Sequence, residues 1–207
     1  MKAPQAIIQK LTTSVIMNAR KGAVIGIAGA GCLGKTTLAH NIAAQMGETQ
    51  CQVISLDGYL LERETRKGLT GYDPRSYELD HAAMDLRRLL NQKQGFFLSQ
   101  YNRRTNLRDI SEWIQFRPFI VVEGCLAHVP RLRCNMNLCI FVHATCKNQY
   151  QLRLRRERRE FQYTAEQIGF RFNKYYEDYQ KFIEPQIFNA EIVLTVDERY
   201  EIGPYCP

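Results

Sequence analysis

The stretch Gly29-Ala30-Gly31-Cys32-Leu33-Gly34-Lys35-Thr36 matches the pattern G-x-x-x-x-G-K-[ST] at every position. Val24 to Ala28 before it is a short apolar run that reads as a buried strand. Thr37 to Met46 after it has the spacing of an amphipathic helix and stops at Gly47. Glycines in such a turn let the backbone N–H groups point inward. Together with the positive end of the following helix and the Lys35 ammonium, those donors make a cradle for polyphosphate. The Thr36 hydroxyl is placed to bind Mg²⁺. Strand, turn and helix in register therefore predict a nucleoside triphosphate site running from Gly29 to Thr37.

The remaining chain repeats this alternation. Gln52 to Leu56, Pro118 to Gly124, Leu138 to Val142 and Ala190 to Val196 read as further buried strands. Ala82 to Gln92, Cys146 to Glu160 and Thr164 to Ile183 read as helices, and Pro4 to Arg20 as a helix ahead of the first strand. Phe96 to Leu98 and Glu112 to Phe116 read as two short strands around a polar, basic turn, and Glu62 to Leu79 as a long functional loop. Strand and helix in alternation predict a parallel sheet covered on both faces. With 207 residues the expectation is a single domain over 1–207.

Composition narrows the function classes. No apolar run approaches a membrane span, and Gln5, Gln9, Lys10, Thr12 and Thr13 interrupt any signal-peptide core. Seven cysteines without a C-x-x-C pair predict reduced thiols rather than disulfides or a zinc site, which makes the cytoplasm the expected compartment. The formal charge of +7 invites a nucleic-acid reading, but the excess is concentrated in Arg153 to Arg159 and in Arg103, Arg104 and Arg108. No RNA-binding signature or helix-turn-helix pattern accompanies it, which weighs against nucleic acid as the partner. A phosphate-handling enzyme needs the same local charge, and a homo-oligomer is compatible with all of these features.

Phosphoryl transfer needs a metal, an activated acceptor oxygen and cations for developing charge. Asp57 and Glu123 both end apolar strands, where α/β proteins place their chemistry. One can take a proton from an acceptor hydroxyl and the other can hold Mg²⁺; a turn cap for Asp57 and a surface carboxylate for Glu123 are the competing readings. Arg153 with Glu157 and Arg156 with Glu160 are opposite-charge pairs four residues apart. Arg155 and Arg159 are like-charged at the same spacing. An anion between them would turn repulsion into attraction, as in a lid closing over phosphates; the bland alternative is a solvated basic face. Tyr59, Tyr72 and Tyr101 fall in segments expected to ring an acceptor pocket, whereas Tyr175, Tyr176, Tyr179 and Phe182 read as helix-packing surface.

With these residues placed, the chain resembles the uridine kinase-like branch of P-loop kinases, related to phosphoribulokinase and bacterial pantothenate kinase. Ser55-Leu56-Asp57-Gly58-Tyr59 resembles the family's D-x-F-Y segment, Tyr72-Asp73-Pro74 its F-D-H-P segment, and Tyr101 to Arg108 its Y-D-x-x-x-H-x-R hairpin. Val121 to Ala127 resembles the E-G-I-L-A strand end, and Arg155 to Glu160 the R-R-x-x-R-D lid. The resemblance implies a three-layer α/β/α P-loop NTPase fold with a five-stranded parallel sheet and a helical lid over about 146–163. It implies ATP and Mg²⁺, and a small-molecule hydroxyl as acceptor. By the same resemblance Asp57 is the general base, Glu123 sits at the metal, and Asp73, Tyr101, Asn106 and Arg108 shape the acceptor site, with a uridine- or cytidine-like nucleoside expected there. Four departures stand out: Asn106 replaces a base-binding His, Leu60 an aromatic, Phe161-Gln162-Tyr163 an E-R-G-R stretch, and Cys32 a frequent Gly. A non-nucleoside alcohol such as pantothenate, glycerate or a sugar phosphate, or a nucleotide-dependent nucleic-acid-binding regulator, are the alternatives.

Overall fold

Strand β1 (Ala23–Gly29) is buried along its entire length. Val24, Ile25 and Ile27 favour the extended backbone, and each fully buried aliphatic side chain contributes about 1.5–3 kcal/mol. In the computed structural model, which describes residues 9, 13, 22–47 and 49–204, this strand is the centre of the molecule. It pairs in parallel with β5 (Phe119–Glu123) on one side and β6 (Leu138–His143) on the other. Beyond β5 lies β2 (Cys51–Ser55), and beyond β6 lies β7 (Ile192–Val196), both parallel.

Five parallel strands are thus in place, as the sequence predicts. The described sheet has six, because β8 (Ile202–Pro204) adds an antiparallel edge to β7. The tail after Asp197 turns back through Tyr200, whose φ of 64° lies in the left-handed region. The Asp197 side chain accepts from the N–H groups of Arg199 and Glu201, which closes that turn. The expected helix over 4–20 lies outside the described residues save Gln9 and Thr13, both helical.

Helix α1 (Lys35–Met46) follows the loop directly. Gly34 caps it with φ 78°, and Gly29 leaves β1 with φ 140°, where a Cβ would lie 2.3 Å from the Val142 carbonyl oxygen. Only glycine fits that approach. Helix α2 (Leu79–Gln92) leads to a separate hairpin of β3 (Phe96–Asn102) and β4 (Leu107–Ile114), each longer than expected. Leu98 of the hairpin packs so close to Gly58 that a Cβ there would meet it at 2.7 Å.

After a short helix α3 (Pro130–Arg133), the segment expected as a lid forms helix α4 (Cys146–Phe161), capped by Thr145. Helix α5 (Ala165–Asp178) opens with a capping box between Thr164 and Gln167 and runs into a π-turn, Tyr179–Ile183. No helix among the described residues is long and apolar enough to cross a membrane.

Candidate active site

The register of the sheet assembles the site. Glu123 at the end of β5 lies opposite Ile27 of β1 and Ser55 of β2, so the phosphate loop and both strand ends meet at the carboxyl edge. In an open parallel sheet this edge, where neighbouring strands diverge from β1, is where ligands bind. Glu123 Oε1 accepts from Ser55 Oγ at 2.7 Å and from Thr36 Oγ1 at 3.2 Å. Burial raises the Glu123 carboxyl above its ordinary pKa, against the pull of Lys35. Three hard oxygens therefore converge, a donor set suited to Mg²⁺, which takes one or two carboxylates and completes its shell with waters and substrate phosphates.

Lys35 is buried and its Nζ donates to the Ala30 carbonyl at 2.7 Å, holding the ammonium across the loop. Cys32 sits at the crest with φ 68°, in the left-handed region that the more usual glycine would occupy without strain. Gly31 N donates to the Tyr72 hydroxyl at 2.6 Å, so the loop is tied to the segment that follows β2.

Asp57 lies in a 3-10 turn at the end of β2, Leu56–Tyr59. Its Oδ2 accepts from Arg103 Nη2 at 2.6 Å, a contact that crosses from the sheet to the hairpin turn. Burial pushes the Asp57 carboxyl up, but Arg103, Lys35 and Arg156 together outweigh it and leave the pKa below its ordinary value. The two strand-end carboxyls are thus pushed in opposite directions, the pattern that separates roles in acid–base sites.

Two cavities meet here. One, of about 410 Å³, is lined by Gly34, Lys35, Thr36, Asp57, Glu123 and the α4 arginines Arg156 and Arg159. The other, of about 440 Å³, extends between the hairpin, the loop after β2 and helices α4 and α5. Gly31, Cys32, Arg103, Cys125 and Arg156 line both.

Several residues expected at the site lie elsewhere in the structure. Arg155 lines neither cavity; its guanidinium turns outward to the Glu198 carbonyl, and Arg156, one residue on, faces the loop instead. Arg159 is in place. Of the residues expected at an acceptor, Tyr101 and Asn106 line the larger cavity, with the Tyr101 hydroxyl donating to Asn106 Oδ1 at 3.1 Å. Asn106 has φ 62° and finishes the hairpin turn, a conformation Asn tolerates well.

Tyr59, Asp73 and Arg108 line neither cavity. Tyr59 is buried with its hydroxyl on Asp85. Asp73 caps the Pro74–Ser76 turn and binds Arg75, whose hydrogen bonds hold its carboxyl below the ordinary range. Arg108 is taken by Glu78.

Sequence reasoning passed over Tyr77, Arg66 and the α5 face. Arg171, Lys174 and Tyr175 all line the larger cavity, and their i, i+3, i+4 spacing was the available signal. Tyr175, expected as packing surface alone, lies beneath the Arg153 guanidinium at 4.2 Å and meets Tyr72 edge-on.

A profile of the Phosphoribulokinase / Uridine kinase family matches residues 24–202. A phosphoribulokinase from Synechocystis sp. is 29% identical over 177 residues, which cover 84% of this chain and 53% of the relative. The chain thus spans about half the length of that relative. A uridine kinase from Psychromonas ingrahamii is 28% identical over 191 residues, 86% of this chain and 89% of the relative. D-glycerate 3-kinase from Cryptococcus neoformans shares the fold, with a TM-score of 0.73 at 12% identity over 97% of this chain and 99% of the other. The profile spans the phosphate loop, both strand-end carboxylates, the hairpin and the lid, and the chain belongs to the phosphoribulokinase / uridine kinase family.

Proposed function

We propose that the chain transfers the terminal phosphoryl group of ATP, with Mg²⁺, to a hydroxyl on a small molecule. One observation carries the reading: the cavity at the phosphate loop opens onto a second cavity, and Asp57 lines the first beside Arg103, which lines both. A donor in one and an acceptor in the other would face each other across a carboxylate.

In this reading Lys35 and the amides of Gly29 to Thr37 hold the β- and γ-phosphates, with the α1 N-terminus behind them. Thr36 and Glu123 hold Mg²⁺, and Ser55 orients the carboxylate. Bound there, the ion neutralises charge on the transferring group. Asp57 receives the acceptor proton at its carboxylate once Arg103 yields that oxygen. Arg156 and Arg159 supply positive charge as the bond to the leaving phosphate lengthens. Tyr101 and Asn106 shape the acceptor cavity.

Two acceptor classes fit. A nucleoside is supported by the uridine kinase relatives and by the Asn106 amide, which can bond the edge of a base. A non-nucleoside alcohol is favoured by the phosphoribulokinase relative and the basic lining.

The test is ADP release with ATP and Mg²⁺ across nucleosides, pantothenate, glycerate, sugars and sugar phosphates, with mass detection of the phosphorylated acceptor. Acceptor-dependent ADP together with a product 80 Da heavier, the mass of one transferred phosphoryl group, is the expected result. ATP binding without transfer to any member would overturn the reading.

A further inference from the structure

Seven arginines and one lysine line the larger cavity, against the carboxylate of Glu157 alone among its described lining residues. That carboxylate is already engaged: it pairs with Arg153 at 3.2 Å and approaches Arg171 at 3.9 Å. Arg103 pairs with Asp57 and Arg156 with Glu160, both from the donor side. Arg63, Arg66, Arg104 and Lys174 remain, and none of them pairs with a carboxylate among the described residues.

Arg66 is held in place. Its Nη2 donates to the Tyr101 hydroxyl at 2.7 Å, its guanidinium carbon lies 5.2 Å from the centre of that ring, and Tyr101 is in turn fixed by Asn106. Yet the Arg66 Nε–H is buried without an acceptor among the described residues. A buried donor left unpaired is costly, and unpaired cations sharing one cavity repel. Both terms change sign when an anion enters. A guanidinium already fixed on an aromatic ring is suited to a carboxylate or phosphate, which it can grip with two parallel hydrogen bonds at little entropic cost.

We infer that the acceptor is an anionic alcohol, its hydroxyl at Asp57 and its carboxylate or phosphate bound by Arg66 and Arg104. The inference rests on the kinase reading above and narrows its acceptor. Neutral nucleosides and sugars leave the cluster uncompensated and bind weakly. Arg103, next in the chain to Arg104 and paired with Asp57, couples the anion-binding turn to the carboxylate that meets the hydroxyl.

The experiment titrates matched pairs into the protein held with Mg²⁺ and a non-hydrolysable ATP analogue, followed by calorimetry. The pairs differ only in the anion: glycerate and glycerol, a pentose 5-phosphate and the pentose, a nucleoside 5′-monophosphate and the nucleoside. At least one anionic member binds about ten-fold or more tightly than its neutral partner, and the pair that responds identifies carboxylate or phosphate.

Arg66→Gln with Arg104→Gln removes that preference while affinity for the ATP analogue changes less than about two-fold, which also reports that the variant is folded. Arg104→Gln alone, at an exposed position, serves the same purpose should the double variant not fold. Equal binding of neutral and anionic members, binding of neither, or an unaltered preference in the variants would overturn the inference. Tight anion binding without ADP release from ATP would overturn the kinase reading and leave the anion site standing. Turnover of neutral alcohols alone would do the reverse.

Discussion

At the scale of single residues, Asp57 is the proposed general base and Arg103 its partner. The guanidinium at 2.6 Å favours the charged carboxylate, and burial opposes it. Because the shift is downward, the carboxylate stays ionised to lower pH than an ordinary Asp. Arg103→Gln removes the stabilising charge and lets burial raise the pKa, so the acid limb of kcat/KM moves to higher pH. A pH profile of the variant checks this, and an unmoved or downward-moved limb would contradict it.

The same scale separates what the sequence reveals from what it does not. Lys35, Thr36, Asp57 and Glu123 are readable because a motif and two strand ends fix their positions through the backbone. Tyr59, Asp73 and Arg108 lie in the right segments, but their side chains are claimed by Asp85, Arg75 and Glu78. Those partners are local in space and only partly in sequence, so spacing cannot foretell them.

At the scale of elements, helix α4 is the part whose pairing is most legible. The four-residue spacing of Arg153 with Glu157 and Arg156 with Glu160 is realised as two ion pairs on α4. The first is buried and braced by Tyr72 and Tyr175. Glu157→Ala leaves Arg153 charged and without that partner among packed rings, which costs about 3 kcal/mol of stability by chemical denaturation. A loss under about 1 kcal/mol would show that the guanidinium is satisfied without it. Helix α5 rests on its capping box, so Thr164→Ala lowers stability by about 1 kcal/mol, measured the same way. Strand β8 escaped sequence reading because three residues containing Gly203 and Pro204 carry no periodicity; the edge of β7 recruits them.

At the scale of the whole molecule, a sheet ordered around β1 explains why the fold is legible in a single motif. The loop fixes the strand before it and the helix after it, and right-handed, uncrossed connections leave the remaining apolar runs few ways to stack beside them. The larger cavity is less legible because the phosphate loop, the loop after β2, the hairpin, the turn after β5 and helices α4 and α5 all contribute to it, and only their packing brings Arg66, Tyr101 and Arg171 together.

Ligand binding stabilises the assembled state. Under the proposed function, ATP with Mg²⁺ at a hundred-fold excess over its dissociation constant is expected to add about 2.7 kcal/mol, and Lys35→Ala to abolish most of that gain in a thermal-shift titration. The most direct test of the central claim is steady-state turnover of Asp57→Asn with ATP, Mg²⁺ and the acceptor found by the panel. The expected result is a fall in kcat of about 10²–10⁴-fold with ATP affinity within about two-fold of the unaltered chain. Turnover that stays near that of the unaltered chain would contradict it.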